Sequence, residues 1–327
     1  MEDVVEFVSR YDLVGLSDSI ARSTEHDINI YFLDEEVASR FRGINIIWYV
    51  FDLTKIPEFE ITNLVQKYRE VWVPSEWGRQ ILLQNFVPFS KIRVMPEGVD
   101  PTIYFPSPTI QNPSNNRFRL LQIGKFETRK SYAESVAAVN LAFGGLDDVE
   151  LVVKCDWLMG NQSLTHPSSG ALFRSCRVPT ITACGDASDT EMVNLYRSAD
   201  AFLFPSKGEG WGLPLIEALA CGIPCISTCY SGQSEYLKHI DKLFLPVDFK
   251  LAPMDCLETK QRIPRTDGEW GLWACPNIDD FAQKLRECKD RTAEWKTSAI
   301  AASEVVRELF SWRACAERVH RALCGFA

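Results

Sequence analysis

The chain has 327 residues, 46% hydrophobic and 24% charged, with 18 Gly and 17 Pro. That composition excludes collagen-like, low-complexity and disordered classes, and the length favours two domains over one. Thirty-five basic against 44 acidic residues leave a formal net charge of −9, which argues against a nucleic-acid binder and against broad docking on anionic lipid, although a local basic patch can hide in the sum.

From the amino terminus, Met1-Glu2-Asp3-Val4-Val5-Glu6 is acidic where a signal peptide is basic. Ile28–Leu33, Asn45–Phe51, Glu70–Pro74 and Ile92–Met95 predict short strands with helices between them. The longest apolar stretch, Ile44 to Leu53, falls far short of the ~20 residues that cross a bilayer. Residues 105 to 116 hold three prolines among small polar residues, a linker composition that separates an amino-terminal domain (1–105) from the rest. Beyond it, Phe118–Ile123, Val149–Lys154, Ala201–Pro205 and Pro224–Thr228 read as strands. They alternate with helices predicted at Ser131–Phe143, Thr190–Ser198 and Pro214–Cys221. A last helix is predicted over Ala302–Leu323. Such alternation predicts an α/β chain of two doubly wound, parallel-sheet, Rossmann-like domains facing one another across a cleft, the first of them short.

Eleven cysteines lie between Cys155 and Cys324, an odd number with no Cys-x-x-Cys pair. They read as free thiols in a reducing compartment rather than as disulfides or a zinc site, so a cytoplasmic location is expected.

The loop after Pro205 carries the chemistry. Gly208, Gly210 and Gly212 let backbone approach a ligand, and the helix that follows points unpaired N–H groups and a partial positive charge outward. Two carboxylates flank it: Glu209 between glycines, and Glu217, read as lying in the first helical turn, where the dipole alone also favours an acid. A plain strand–turn–helix connection is the competing reading. A second loop follows Gly124, with Lys125, Arg129 and Lys130 at a helix start that opposes cations, so an anion is expected there unless the turn is simply solvated. Cations and backbone donors suit phosphates, and carboxylates suit hydroxyls. Together they describe a nucleotide sugar.

Residues 117 to 325 resemble the donor domain of retaining glycosyltransferases of family 4, on the GT-B fold. The resemblance rests on Glu209 and Glu217 as an E-x7-E pair inside Pro205-Ser206 … Glu209-Gly210-Trp211-Gly212-Leu213-Pro214 … Glu217-Ala218. Leu195–Asp200, Gly222-Ile223-Pro224 and Phe310-Ser311-Trp312 support it, the last matching a final helix that crosses back onto the first domain (about 303–325), leaving 117–302 as the donor domain. Ser131 stands where the family has glycine. Trp48–Asp52, Val71–Trp77 and Pro96–Asp100 resemble one branch of the same family, although no glycine-rich loop follows the first strand.

The resemblance implies that Lys125 and Lys130 neutralise a departing diphosphate, with Gly124 and Arg129 beside them. It implies that Gly210, Trp211, Gly212 and Leu213 offer backbone N–H groups, that Glu209 contacts the transferred sugar and Glu217 the ribose, and that backbone near Ala183 meets the base. Asp52 is the candidate acid beside the reacting sugar; capping of a turn is its competing role. With no Asp-x-Asp in the chain, no metal and no cofactor are expected. The implied reaction is transfer from a GDP-, UDP- or ADP-sugar to a glycan or small-molecule acceptor with retention of configuration. A nucleotide-sugar-binding protein without transfer, and a sugar-nucleotide epimerase, are the alternatives.

Overall fold

The structure, a computed structural model, describes residues 22, 24–32, 42–107, 117–156, 167–256, 260 and 268–326. Among them, β1 (Ile28–Phe32), β2 (Ile44–Trp48), β3 (Glu70–Val73) and β4 (Ile92–Val94) form a parallel sheet in the order β1-β2-β3-β4. Helices α1 (Glu58–Lys67) and α2 (Glu76–Gln84) link its later strands. Their apolar faces meet the sheet through Leu64, Ile81 and Leu82 on Ile47, Val71 and Val73. Ser75 starts α2 by accepting a hydrogen bond from the Gly78 N–H at 3.0 Å.

The second sheet is also parallel, in the order β10-β9-β8-β5-β6-β7. Its strands are β5 (Phe118–Lys125), β6 (Val149–Asp156), β7 (Thr180–Ala183), β8 (Ala201–Phe204), β9 (Cys225–Thr228) and β10 (Leu245–Val247). Every residue of β8 and β9 is buried, because helices cover both faces of the sheet; that is why these strands read as unbroken apolar runs. The connecting helices are α3 (Tyr132–Phe143), α4 (Pro167–Arg174), α5 (Asp189–Arg197), α6 (Leu213–Ala220) and the short α7 (Ser234–Leu237). Two doubly wound α/β sheets are therefore present, as expected. Of the expected linker, residues 106 and 107 alone are described.

Some elements departed from expectation. Edge strand β7 is largely exposed and carries no apolar run, while β10 contains Pro246; neither gave a strand signal. An antiparallel pair, β11 (Phe249–Pro253) and β12 (Leu272–Pro276), had no local signal either. It is held by packing of Trp273, Met254 and Cys256 on Leu53 from the other end of the chain. After α8 (Ile278–Asp290), the single helix predicted over Ala302–Leu323 is two, α9 (Thr292–Leu309) and α10 (Trp312–Leu323). Phe310 and Ser311 leave the helix, and Ser311 caps α10 by accepting from the Ala314 N–H at 3.2 Å.

At that break the chain crosses back. Val99 donates its N–H to Phe310 O at 2.8 Å, and Trp312 donates to Val99 O at 3.1 Å. Gly98 allows the approach: a Cβ there would stand 2.8 Å from the Trp312 nitrogen. Beyond the break, Val319, Ala322 and Leu323 of α10 pack on Ile46, Trp48, Trp72 and Met95 of the first sheet. All eleven cysteines are free. Among the described residues no helix is long and apolar enough to cross a membrane.

Candidate active site

The carboxyl ends of β5 and β8 sit side by side because those strands pair directly. Open parallel sheets bind ligands on that edge. The loop after β8 leaves Phe204, runs through Ser206 to Gly212, and enters α6 with Gly212 in the left-handed region (φ 94) and no side-chain cap. Pro214 is the second helical residue rather than the first. Gly222, with φ 72, ends the helix as read from sequence.

Glu209 is 6% exposed and forms the centre of this edge. Its Oε1 receives Lys130 Nζ at 2.6 Å and Ser206 Oγ at 2.5 Å, and its Oε2 lies 2.8 Å from Arg129 Nη1. Its backbone N–H is bound by Ser231 Oγ at 2.8 Å. Burial opposes ionisation of this carboxyl, but Arg129 and Lys130 outweigh it and hold its pKa down at about 2. Burial, with the neighbouring Arg129, pushes Lys130 downward, while Glu209 resists. Arg129 is driven the other way: burial works against its charge, yet Glu209, Asp52 and Glu127 raise its pKa.

Arg129 also reaches the segment that follows β2 of the first sheet. Its Nε lies 2.8 Å from Asp52 Oδ2, so Asp52 serves as an ion-pair partner in place of the turn cap weighed from sequence. Strand β2 stops at Trp48, earlier than the predicted Phe51, and the extended residues after it lie directly on the loop. A Cβ on Gly210 would fall 2.2 Å from Val50 Cγ1, and one on Gly208 would fall 2.8 Å from Asp52 O. Only glycine lets the two segments approach so closely.

Glu217 sits in the second turn of α6, and no acid occupies the first turn; the dipole does not account for it. Instead it accepts a hydrogen bond from Tyr196 at 2.7 Å. Burial pushes its pKa up to about 7 against that hydrogen bond, with Asp189 adding to the rise. Tyr104, just ahead of the linker, lies against the same carboxylate.

The remaining predicted residues divide. Gly124, with φ 156, is the last residue but one of β5, its carbonyl accepting from Tyr132 at 2.9 Å. Lys125 is exposed and does not join Glu209; Arg129, expected only beside the Lys125 and Lys130 pair, takes the place next to Lys130 on that carboxylate. The Trp211 ring turns into the core against Tyr236 and Phe310 at 5.0 and 5.8 Å, and the residue as a whole is buried. Leu213 is exposed. Ala183 ends β7 on the same rim, and the turn after it is held by buried Lys154, which donates to Gly185 O at 2.6 Å.

Sequence reading missed Lys154, Ser231, Tyr104 and Tyr196. Of these, Tyr196 lay inside the Leu195–Asp200 motif without being singled out, and Lys154 stood as a lone cation closing a predicted apolar strand. Ser131 adopts φ 57, ψ 39 at the start of α3, is fully buried, and its hydroxyl finds no partner. A left-handed backbone there explains why glycine suits the position. No group of three metal-ligating side chains occurs among the described residues.

Residues 175–247 match the family described as Glycosyl transferases group 1. The chain is 28% identical over 200 residues to D-inositol 3-phosphate glycosyltransferase of Arthrobacter sp. (strain FB24), covering 59% of this chain and 47% of that one. It is 28% identical over 144 residues to O-antigen chain mannosyltransferase B of Escherichia coli, covering 43% and 29% respectively. The chain thus spans less than half the length of either curated relative. Among solved structures, Anabaena Alr3699/HepE in complex with UDP and glucose superposes with a TM-score of 0.67 at 16% identity, over 95% of this chain and 81% of that one. Sucrose-phosphate synthase from Thermosynechococcus elongatus superposes with a TM-score of 0.65 at 19% identity, over 92% and 74%. The fold, the loop sequence around Glu209 and the family match agree: residues 175–247 are similar to the glycosyl transferases group 1, within a GT-B-like fold.

Proposed function

We propose that the chain transfers a sugar from a nucleoside-diphosphate sugar to an acceptor with retention of configuration and without a metal ion. The observation that carries this reading is the convergence of Glu209, Arg129 and Lys130 at the joined ends of β5 and β8, beside an uncapped helix start. The two cations and the α6 amides take the diphosphate, whose negative charge grows as the sugar leaves. Lys125, on the same rim, faces its outer oxygens. Glu209 turns to the sugar, where positive charge develops. Glu217 takes the ribose hydroxyls in exchange for its tyrosine partner, and backbone near Ala183 meets the base. In the transfer the bond from the anomeric carbon to phosphate breaks. A bond to the acceptor oxygen forms on the same face, and the acceptor proton passes to the departing phosphate.

A thermal-shift screen of nucleotide sugars tests the first step. The HepE complex, with UDP and glucose, makes UDP-glucose the first donor to try, and the mannosyltransferase relative makes GDP-mannose the second. A ligand at 100 times its Kd raises stability by about 2.7 kcal/mol. Product analysis then separates a new glycoside from intact donor or from an isomerised sugar nucleotide. No shift with any nucleotide sugar would overturn the reading.

A further inference from the structure

The loop between α2 and β4 holds two phenylalanines in water: Phe86 is 86% exposed and Phe89 is 64% exposed. Phe86 has φ 66, a conformation in which side-chain-bearing residues are uncommon. It ends α2, where Phe86 N–H reaches Leu83 O and Val87 N–H reaches Leu82 O, both at 3.0 Å, a helix stop usually built on glycine. A strained backbone and a solvated ring contribute nothing to the packing of the sheet.

Cations surround these rings. Arg79 lies over the Phe89 ring at 5.4 Å from its centroid. Lys91 donates to Tyr68 O at 2.5 Å and feels the like charge of Arg69. Arg93 pairs with Glu70 at 2.7 Å, and Arg79 pairs with Glu76 at 2.7 Å. Among the described residues, these four cations against two carboxylates make this edge positive on a chain whose net charge is −9. This is the local patch that the sum of charges concealed. It borders the starts of β3 and β4, the end of the sheet opposite the rim that carries Asp52.

We propose that this edge docks on an anionic bilayer surface, with Phe86 and Phe89 entering the boundary between headgroups and acyl chains and Arg69, Arg79, Lys91 and Arg93 facing acidic headgroups. The rings project instead of lining a groove, which suits a deformable lipid layer. The proposal is independent of the donor chemistry.

Vesicle co-sedimentation of the full chain tests it, with phosphatidylglycerol mixed into phosphatidylcholine in one arm and phosphatidylcholine alone in the other. The wild type should sediment with the first, less so as salt rises, and much less with the second. Lys91→Ala should weaken binding about fivefold, and Phe89→Ala about tenfold. Phe86→Gly supplies the folding control: it relieves the backbone, so it should melt higher than wild type while binding about tenfold more weakly. A wild type that stays in the supernatant would overturn the proposal, as would variants that bind as wild type does. So would a concentration-dependent dimer that the same substitutions abolish, which would make the patch a protein interface. Thermal shifts with nucleotide sugars should be unchanged in all three variants.

Discussion

Arg129 Nε lies 2.8 Å from Asp52 Oδ2 and its Nη1 lies 2.8 Å from Glu209 Oε2, so one guanidinium holds one carboxylate from the segment after β2 and one from the loop after β8. Any diphosphate that recruits Arg129 competes with both. Asp52→Asn should therefore tighten nucleoside-diphosphate binding, by roughly tenfold, while destabilising the fold by about 1–3 kcal/mol through the lost charge-assisted hydrogen bond. Calorimetry with the nucleotide and a melting curve on the same preparation check both. Weaker nucleotide binding would show that Asp52 positions Arg129 for the ligand instead of competing with it.

Acid should unfold the wild type partly through Glu209. Its folded pKa of about 2 lies below the ordinary 4.5, so its contribution is present above that ordinary value and is lost as pH falls from about 5 towards 2. The stake is on the order of 3 kcal/mol. Glu209→Gln should flatten the melting temperature over that window and lower turnover more than donor affinity. Parallel acid limbs for the two proteins would refute the assignment.

Glu217 slopes the other way. Its folded pKa of about 7 lies above 4.5, so its contribution is complete below pH 4.5 and disappears as pH rises through 7. Charging it in the folded state costs on the order of 3 kcal/mol. Above pH 7, Glu217→Gln should melt higher than wild type yet bind the donor more weakly, since ribose contacts serve ground and transition states alike. Melting curves at pH 5 and pH 8, as about those values bracket the transition, should show the gain at the higher pH alone.

Ser131→Gly should stabilise the chain by about 1 kcal/mol, because the left-handed backbone no longer opposes a side chain and a buried unpaired hydroxyl is removed. Denaturant melts measure this. A loss of stability would mean that the hydroxyl is satisfied by bound water.

The donor-side architecture was legible because its central strands β5, β6, β8 and β9 each carry their own signal. Phe118–Ile123 and Ala201–Pro205 are apolar runs bounded by glycine or proline, and Gly222 ends α6 as its position indicates. What escaped notice depends on partners distant in sequence. Trp273 and Met254 find their apolar neighbour in Leu53, and no local pattern around β11 and β12 records that. The role of Asp52 was likewise open between a cap and a catalytic contact, since the residue that engages it, Arg129, lies on another domain. Periodicity ran on through Phe310 and Ser311 because both flanking segments are amphipathic. The break comes from backbone hydrogen bonds to Val99, which a helical wheel does not contain.

The return of α10 to the first sheet also bears on how the chain is made. Ile46, Trp48, Trp72 and Met95 are covered by Ala322 and its neighbours, which are synthesised well after them. At about 5–20 residues per second, that face waits roughly 10 to 50 seconds for its cover. During that interval the nascent amino-terminal half presents two tryptophans and an isoleucine to solvent or to a chaperone, and a ribosome that stalls near residue 300 releases a chain that is folded around the second sheet and sticky on the first.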